Sequence, residues 1–413
     1  MSLSPPVSVI VVSRGRPDAL RRCLMGIEQL DYDRIEVVVV ADELGRDSVS
    51  ALGWDERVKL VPFEEPNISA ARNAGLGVAA GQVVAFIDDD AVPEPTWLRA
   101  LAAPFSERAV AAAGGFVRGR NGISFQWKAR SLHNTGEAFP LEVDPIQTTV
   151  LTGQPGRAIK TEGTNMAFRR DVLAAIGGFD PAFRFYHDEA DVNMRLAERG
   201  SATAIVPLAE VHHGFMASER RRSDRVPLSL FEVGASTMVF LRKHCGGGEQ
   251  APIARLLAER RKALTEQMVK GLIEPRDLRR IMASLKKGLK EGETRTLSSL
   301  KPIPSSTELF HGFETFPQRA TESLSGRPLA AKKLRKMADA HIAERKRVTL
   351  FLFSRTALFH RVTFTEAGIW EHTGGIFGRS ERNNPLIRLS TFKARVRREM
   401  QRISLQRGLS ARN

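Results

Sequence analysis

The chain has little cysteine. Cys23 and Cys245 are the only two in 413 residues, too few for a disulfide framework or a cysteine-based metal cluster. Such usage fits a reducing compartment, and a cytoplasmic protein is expected. Long apolar runs are missing too. No stretch reaches the roughly 18 uninterrupted apolar residues that a membrane helix needs, and the best candidate, residues 228–241, is shorter and contains Glu232. The opening Met-Ser-Leu-Ser-Pro-Pro has no basic segment and no apolar core, so no secretory signal is expected.

Charge is plentiful but uneven. Residues 1–215 hold 22 Lys and Arg against 28 Asp and Glu, a net of −6, and the remainder holds 40 against 19, a net of +21. The whole chain's +15 therefore comes from its C-terminal half. An anionic partner such as a phospholipid surface or a polyanionic glycan follows from that asymmetry. Nucleic acid is the weaker option, because no binding module is recognisable and charge alone carries no specificity. The length exceeds one core of ordinary size, and a division into residues 1–220 and 221–413 is expected.

The most informative residues are Asp88-Asp89-Asp90, which end the apolar run Val83-Val84-Ala85-Phe86-Ile87. That run predicts a buried strand. Three carboxylates at its end would repel one another unless a cation sits among them, and a hard divalent ion with a phosphorylated ligand suits such oxygen donors. An acidic turn before Pro93 and Pro95 is the plainer alternative. Upstream, Val7 to Ser13 and Ile35 to Val40 predict two more strands, with a helix over 19–30 between them. Arg16, just before Pro17 at that helix start, is placed to reach a phosphate. Strands alternating with helices of this length predict a doubly wound α/β domain with a mostly parallel sheet. Ligands bind such sheets at the carboxyl ends of the strands, where the Asp triplet falls.

The order of segments resembles the family 2 glycosyltransferases, which share the nucleotide-diphospho-sugar transferase fold. The matching positions are Ser13 after the first strand, Asp42 after the second, Ala71-Arg72-Asn73, and Asp88-Asp89-Asp90. Downstream come Gly163-Thr164-Asn165, Gly177-Gly178-Phe179-Asp180, His187-Asp188-Glu189-Ala190-Asp191 and Val211-His212-His213. The likeness covers residues 6–215, about half the chain. It implies an inverting, metal-dependent transfer of a sugar from a nucleotide-diphosphate donor to a glycan or lipid-linked acceptor. By the same likeness, Ser13, Arg16, Asp42, Arg72, Asp88 and Asp89 serve the donor. Asp90, Asp88 and His213 would hold Mg²⁺ or Mn²⁺. Asn165 and Asp191 lie on the acceptor side, and Glu189 is the catalytic base with Asp188 in reserve. Two departures stand out: Ala41 replaces the first of a common acidic pair, and Asp188-Glu189 inverts the usual Glu-Asp order.

Plainer roles compete at several positions. Asp191 and Arg195 form an i,i+4 pair of the kind that often only braces a helix. Asn165 can order a loop, and the two histidines can be ordinary strand residues. Two other function classes stay open: a sugar nucleotidyltransferase and a non-catalytic glycan-binding relic. Ser13-Arg14-Gly15-Arg16-Pro17 is poor in glycine for the phosphate loop of the former, and a relic needs neither acidic site.

The C-terminal half shows no family signature and no internal repeat. Apolar spacing predicts helices over 251–270, 277–289 and 331–347, with a strand over 348–354. Residues 294–330, with Pro302, Pro304, Pro317 and Pro328, predict an irregular connection. Residues 390–406 predict a basic amphipathic helix with Phe392, Val396, Met400 and Ile403 on one face. Such a helix either lies on an anionic membrane or packs on its own protein. The first option makes the protein peripheral on the inner face of the cell membrane.

Overall fold

The computed structural model describes residues 4–214, 219–297, 299–316 and 321–409. Pro317, part of the connection expected over 294–330, lies outside them. The N-terminal elements run β1 (Val7–Ser13), α1 (Pro17–Glu28), β2 (Ile35–Ala41), α2 (Glu43–Ala51), β3 (Lys59–Pro62), α3 (Ile68–Val78) and β4 (Val83–Asp88). Strands β1, β2 and β3 pair in parallel, and β4 returns to the opposite side of β1, also in parallel. The sequence of β2, Ile-Glu-Val-Val-Val-Val-Ala, is buried along its whole length. A parallel strand covered on both faces reads as such a continuous apolar run. The strand order reverses between β1 and β4, so their carboxyl ends open a crevice.

The sheet continues through β5 (Ala91–Pro93), α4 (Trp97–Ala102), β6 (Val110–Arg118), β7 (Phe125–Trp127), β8 (Arg130–His133), β9 (Ala138–Pro140), β10 (Thr149–Thr152), β11 (Arg157–Lys160), β12 (Met166–Arg169), α5 (Arg170–Ala175), α6 (Asp188–Glu198) and β13 (Ala202–His213). Its order is β10-β13-β6-β12-β4-β1-β2-β3, with β5 on β13 and β7 on β6. Strand β12 is antiparallel to both its neighbours. Strands β11, β8 and β9 form a separate small sheet. One face of the large sheet packs on Leu20, Leu24, Ile27, Trp97 and Leu101. The other packs on Leu76, Leu173, Phe179 and Leu196. This is the expected mostly parallel α/β architecture.

The C-terminal half begins with helices α7 (Phe231–His244), α8 (Gln250–Val269) and α9 (Pro275–Thr294). The run 228–241, too short to span a membrane, lies largely in α7, whose residues 234–241 are buried. Helices α7 and α9 touch backbone to backbone. A Cβ on Gly288 would sit 1.9 Å from the Phe231 carbonyl oxygen, and one on Gly234 2.3 Å from that of Leu285. Beyond them lies a four-stranded sheet of order β14 (Thr321–Gly326), β15 (Arg347–Ser354), β17 (Trp370–Gly375) and β16 (Arg361–Phe364), with α10 (Ala331–Ala343) and α11 (Phe392–Arg407) against it. Of these four strands, only β15 was expected from the sequence, along with the two helices. Strand β14 falls within the connection expected to be irregular. Its residues, Thr-Glu-Ser-Leu-Ser-Gly, are mostly polar, and it forms only through parallel pairing with β15.

The basic helix predicted near the C-terminus is α11, and it is docked. Ile403 is buried beside Phe351, Phe353 and Ile376, and Phe392, Val396 and Met400 pack on the same cluster. Arg395 and Arg407 are each 1% exposed. The apolar stripe considered for a membrane is therefore part of the core, because β15 offers it a complementary apolar face. Packing also crosses the boundary expected near residue 220. Phe313 enters the N-terminal core, and Arg347 donates to the carbonyls of Gln29 and Leu30 at 2.6 and 3.0 Å.

Candidate active site

The three carboxylates divide by burial: Asp88 ends β4, and Asp89 and Asp90 form the turn after it. Asp88 and Asp90 line a cavity of about 980 Å³ at the β1–β4 crevice, whereas Asp89 is wholly buried. Asp89 accepts a hydrogen bond from the Ser13 hydroxyl at 2.7 Å and pairs with Arg16 at 2.5 Å. Burial pushes its carboxyl up to about 7 although Arg16 opposes the shift. Arg16 also reaches Asp90 at 3.3 Å. Asp89 and Ser13 thus fix Arg16 at the cavity edge, and the donor contact expected of Asp89 does not fit its burial.

Asp42 is likewise committed. One oxygen caps α2 through the Gly45 amide at 3.0 Å, and the other accepts from the Gly15 amide at 2.7 Å. Gly15 has a φ of +67°, which glycine adopts without a Cβ clash. The bond orders the loop between β1 and α1 that carries Arg14 and Arg16.

Asp88, Asp90 and His213 converge. Each offers one ligand atom, and these lie within 4.8 Å of one another. Register explains the meeting: β5 pairs antiparallel with β13, His213 opposite Ala91, so the end of one strand abuts the start of the other. His213 Nε2 stands 3.1 Å from Asp90 Oδ1, and its Nδ1 is 3.1 Å from Gln126 Oε1. If Nδ1–H donates to Gln126, a neutral imidazole turns the Nε2 lone pair on a carboxylate oxygen. A cation between them relieves that repulsion; the two carboxylates suit a hard divalent ion, and an imidazole beside them favours a transition ion such as Mn²⁺ over Mg²⁺. The donor set therefore fits the expected divalent ion. His212 points elsewhere, to Glu94 at 2.8 Å.

Across the cavity, α6 begins after Tyr186 and His187, both left-handed with φ of +77° and +69°. Non-glycine residues there cost of order 1–3 kcal/mol and cluster at functional sites. Asp188 pairs closely with Arg72, which also binds Asp88 at 3.3 Å and the Gly163 carbonyl at 2.9 Å. Arg72 is 3% exposed. It clamps the two acidic motifs together at the cavity wall, with its guanidinium already bonded to Asp188, Asp88 and Gly163. Burial pushes Asp188 up to about 7 against Arg72. Burial acts upward on Glu189 as well, but Lys160, 2.7 Å away, overrides it and holds that carboxyl at about 2. Glu189 is thus an ionised carboxylate at the cavity wall.

Two further expectations fail on burial. Asn165 is fully enclosed: its oxygen accepts from the Trp97 indole at 2.8 Å, and its nitrogen donates to the carbonyls of Phe116 and Ala209 at 3.0 and 2.8 Å. It pins strands together and cannot reach an acceptor. Asp191, also 0% exposed, binds Arg195 at 2.8 Å, Lys243 at 2.7 Å and His244 at 3.0 Å. It anchors α6 to α7. Conversely, Lys160, Glu162, Gln126, Trp127 and the α8 residues Arg255 and Leu256 line the cavity unannounced. They belong to short strands and a helix without motifs, and only the fold brings them in.

Comparison with known proteins gives the family. The family model described as "Glycosyltransferase like family 2" matches residues 5–225. The O-antigen biosynthesis protein RfbC of Myxococcus xanthus is 28% identical over 235 residues, 54% of this chain and 18% of that protein. The glucosyl-dolichyl phosphate glucuronosyltransferase of Haloferax volcanii is 30% identical over 183 residues, 42% of this chain and 56% of that protein. The matched part is thus little more than half of these relatives at most. Among solved structures, the mannosyltransferase PcManGT of Pyrobaculum calidifontis, in complex with GDP-Man and Mn²⁺, covers 72% of this chain and 89% of its own at 17% identity and a TM-score of 0.46. With more than half of its residues under the family model, the chain belongs to the family 2-like glycosyltransferases.

Proposed function

We propose that the protein transfers a sugar from a nucleotide-diphosphate donor to a hydroxyl acceptor with inversion. One observation carries the reading: Asp88, Asp90, His213 and Glu189 open on a single cavity at the sheet's switch point. Asp88, Asp90 and His213 would hold a divalent cation, which when bound supplies Lewis-acid stabilisation for a diphosphate leaving group. Arg16, fixed by Asp89 and Asp90, adds a positive edge to that end of the cavity. Glu189 is the base that takes the acceptor's proton, because it is ionised and faces the cavity. Lys160 holds it until an acceptor hydroxyl competes for the carboxylate. Asp188, locked under Arg72, is a positioning residue.

Support for a glycan or lipid-linked acceptor comes from the far wall, where Phe139, Phe185 and Tyr186 are 41, 36 and 37% exposed. Aromatic faces of this kind suit sugar rings or acyl chains. The name of the Haloferax relative points the same way, to an acceptor on dolichyl phosphate. Family membership leaves the nucleotidyltransferase reading without support.

Calorimetric titration with nucleoside diphosphates, with and without Mn²⁺, tests the donor end. Asp90→Ala is expected to abolish the metal-dependent part of binding while circular dichroism stays native. Undiminished affinity in the variant would remove the basis of the proposal.

A further inference from the structure

Away from the cavity, two loops of the C-terminal sheet carry a surface that the sugar-transfer reading does not use. One joins β15 to β16 and includes residues 355–360. The other joins β17 to α11 and includes residues 376–391. They are bound to each other. The Gly375 amide donates to the Leu358 carbonyl at 2.9 Å, Phe377 to Thr356 at 3.1 Å, and His360 to Arg379 at 3.1 Å. The second loop also folds on itself, with Arg388 N–H donating to the Phe377 carbonyl at 2.9 Å and a bridge between Gly378 and Ile387. Contact is so close that a Cβ on Gly375 or Gly378 would lie 1.9 Å from the carbonyl oxygen of Thr356 or Leu358. These are built loops with a defined shape.

Five of their exposed residues are large and apolar. Leu358, Phe359, Leu386, Ile387 and Leu389 are 62, 54, 61, 64 and 88% exposed. Single exposed leucines are ordinary, but five large apolar side chains on two bonded loops mark an interaction surface. Arginines surround them: Arg355, Arg361, Arg382 and Arg388 are exposed, and the Arg379 guanidinium lies 4.3 Å over the Phe359 ring. Lys393 and Arg397 extend the field on the exposed side of α11. Within residues 355–361 and 376–397 the only carboxylate is Glu381.

We infer that these two loops form a docking face for an anionic phospholipid surface, with Leu386, Ile387, Leu389, Leu358 and Phe359 entering the headgroup–acyl boundary and the arginines meeting lipid phosphates. The pairing of an apolar tip with a cationic rim is what such an interface selects. A water-soluble anion would satisfy the arginines but not the leucines. A neutral apolar partner would leave the arginines unmatched. Each basic side chain near an anionic surface raises partitioning roughly five-fold, so a handful of them with the apolar tip suffices for reversible binding without a spanning helix. Among the described residues no helix is long and apolar enough to cross a membrane. The face replaces the docked stripe of α11 as the membrane-contacting element, and it stands independently of which sugar is transferred.

The test is flotation of the full chain with vesicles of phosphatidylcholine alone or with 30% (roughly, a composition rich in anionic lipid) phosphatidylglycerol. Binding is expected to the anionic vesicles, to fall steeply as salt shortens the Debye length from about 10 Å at 0.1 M, and to be negligible on neutral ones. The triple substitution Leu386→Ser, Ile387→Ser, Leu389→Ser should lower partitioning at least ten-fold (about 1.4 kcal/mol) with an unchanged melting temperature, since these side chains are outside the core. Arg382→Gln with Arg388→Gln should reduce the salt-dependent part. Equal binding by the triple variant would overturn the proposal. So would a self-associated species in sedimentation that dissociates in the triple variant, because a second copy would then be the occupant.

Discussion

Among the described residues, two clusters have the ligand types and spacing of a metal site, and they differ in everything else. Asp88, Asp90 and His213 border a cavity. His360, His372 and Glu399 also bring their ligand atoms within 4.8 Å but are sealed, each at most 1% exposed. The sealed cluster is saturated with cations. Glu399 binds Arg402 at 2.8 Å and Arg395 at 3.2 Å, and Arg407 reaches His372 at 2.8 Å. A metal ion would add positive charge beside three guanidiniums that are already matched by Glu399 and Glu94. Arg395 also approaches His360 Nδ1 at 3.1 Å, where a metal-bound histidine needs an acceptor for its own N–H. Ligand geometry therefore does not define a site; the surrounding charge and an open path do. The first cluster is arranged for a visitor, and the second is a closed polar core that ties α11 to the rest of the protein.

That contrast has its sharpest test in catalysis. Glu189→Gln should lower kcat by ~10²–10⁴-fold with donor affinity and melting temperature nearly kept, because the open site is not where stability resides. Lys160→Met should raise the carboxyl of Glu189 from its depressed value and bring an acidic limb into the pH–rate profile that the parent protein shows only at much lower pH. Should Asp188→Asn lose turnover and Glu189→Gln retain it, the two residues exchange roles.

The sealed region should respond in stability. Glu94 accepts from Arg407 at 2.8 and 3.1 Å, and this pair holds its carboxyl well below the usual range even though burial opposes it. Arg407→Met leaves Glu94 buried without that partner and should cost about 3–5 kcal/mol in urea unfolding. The double variant with Glu94→Gln should regain much of it. The pair sits directly behind β5 and the end of β13, so Mn²⁺ affinity should weaken in Arg407→Met as well. No loss of stability in the single variant would break the comparison.

The smallest effect is a difference in pH dependence. Burial, aided by nearby arginines, holds His360 down to about 3 and His372 well below the usual histidine range. A histidine whose folded value is depressed stabilises the fold above its unfolded value. That contribution is lost as pH falls below about 6.5, at about 1.4 kcal/mol per pH unit for each. Asp89 and Asp188, raised to about 7, act in the opposite sense between pH 7 and 4, because the folded state takes up their protons first; His187, lowered to about 3, offsets part of this. Hydrogen exchange from pH 6.5 to 4.5, corrected for intrinsic rates, should show β15 and β17 losing protection before β1 and β4 do. Uniform loss across both sheets would remove the distinction.

The sequence alone determined the parallel sheet and the Asp triplet at its carboxyl end, and the family resemblance named His213 as a partner for Asp88 and Asp90, which the fold brings together. Buried strands write themselves as continuous apolar runs, and the Asp triplet follows such a run directly. It also placed α8, α9, β15 and α11, whose periodicity is local information. Only the tertiary structure decided what each polar residue does. Asp88 and Asp89 are adjacent in sequence, yet the turn that follows β4 leaves one in the cavity wall and buries the other against Arg16 and Ser13. Asn165 and Asp191 carry motif positions but are consumed by partners tens of residues away. Lys160 and the face of α8 have no motif at all, and reach the cavity only because distant segments fold over it. The apolar stripe of α11 met β15 instead of lipid, while the apolar loop tips that periodicity cannot detect were left outside. Local pattern fixes which segments are strands or helices; burial and partnership depend on contacts far apart in the chain, and these the fold alone supplies.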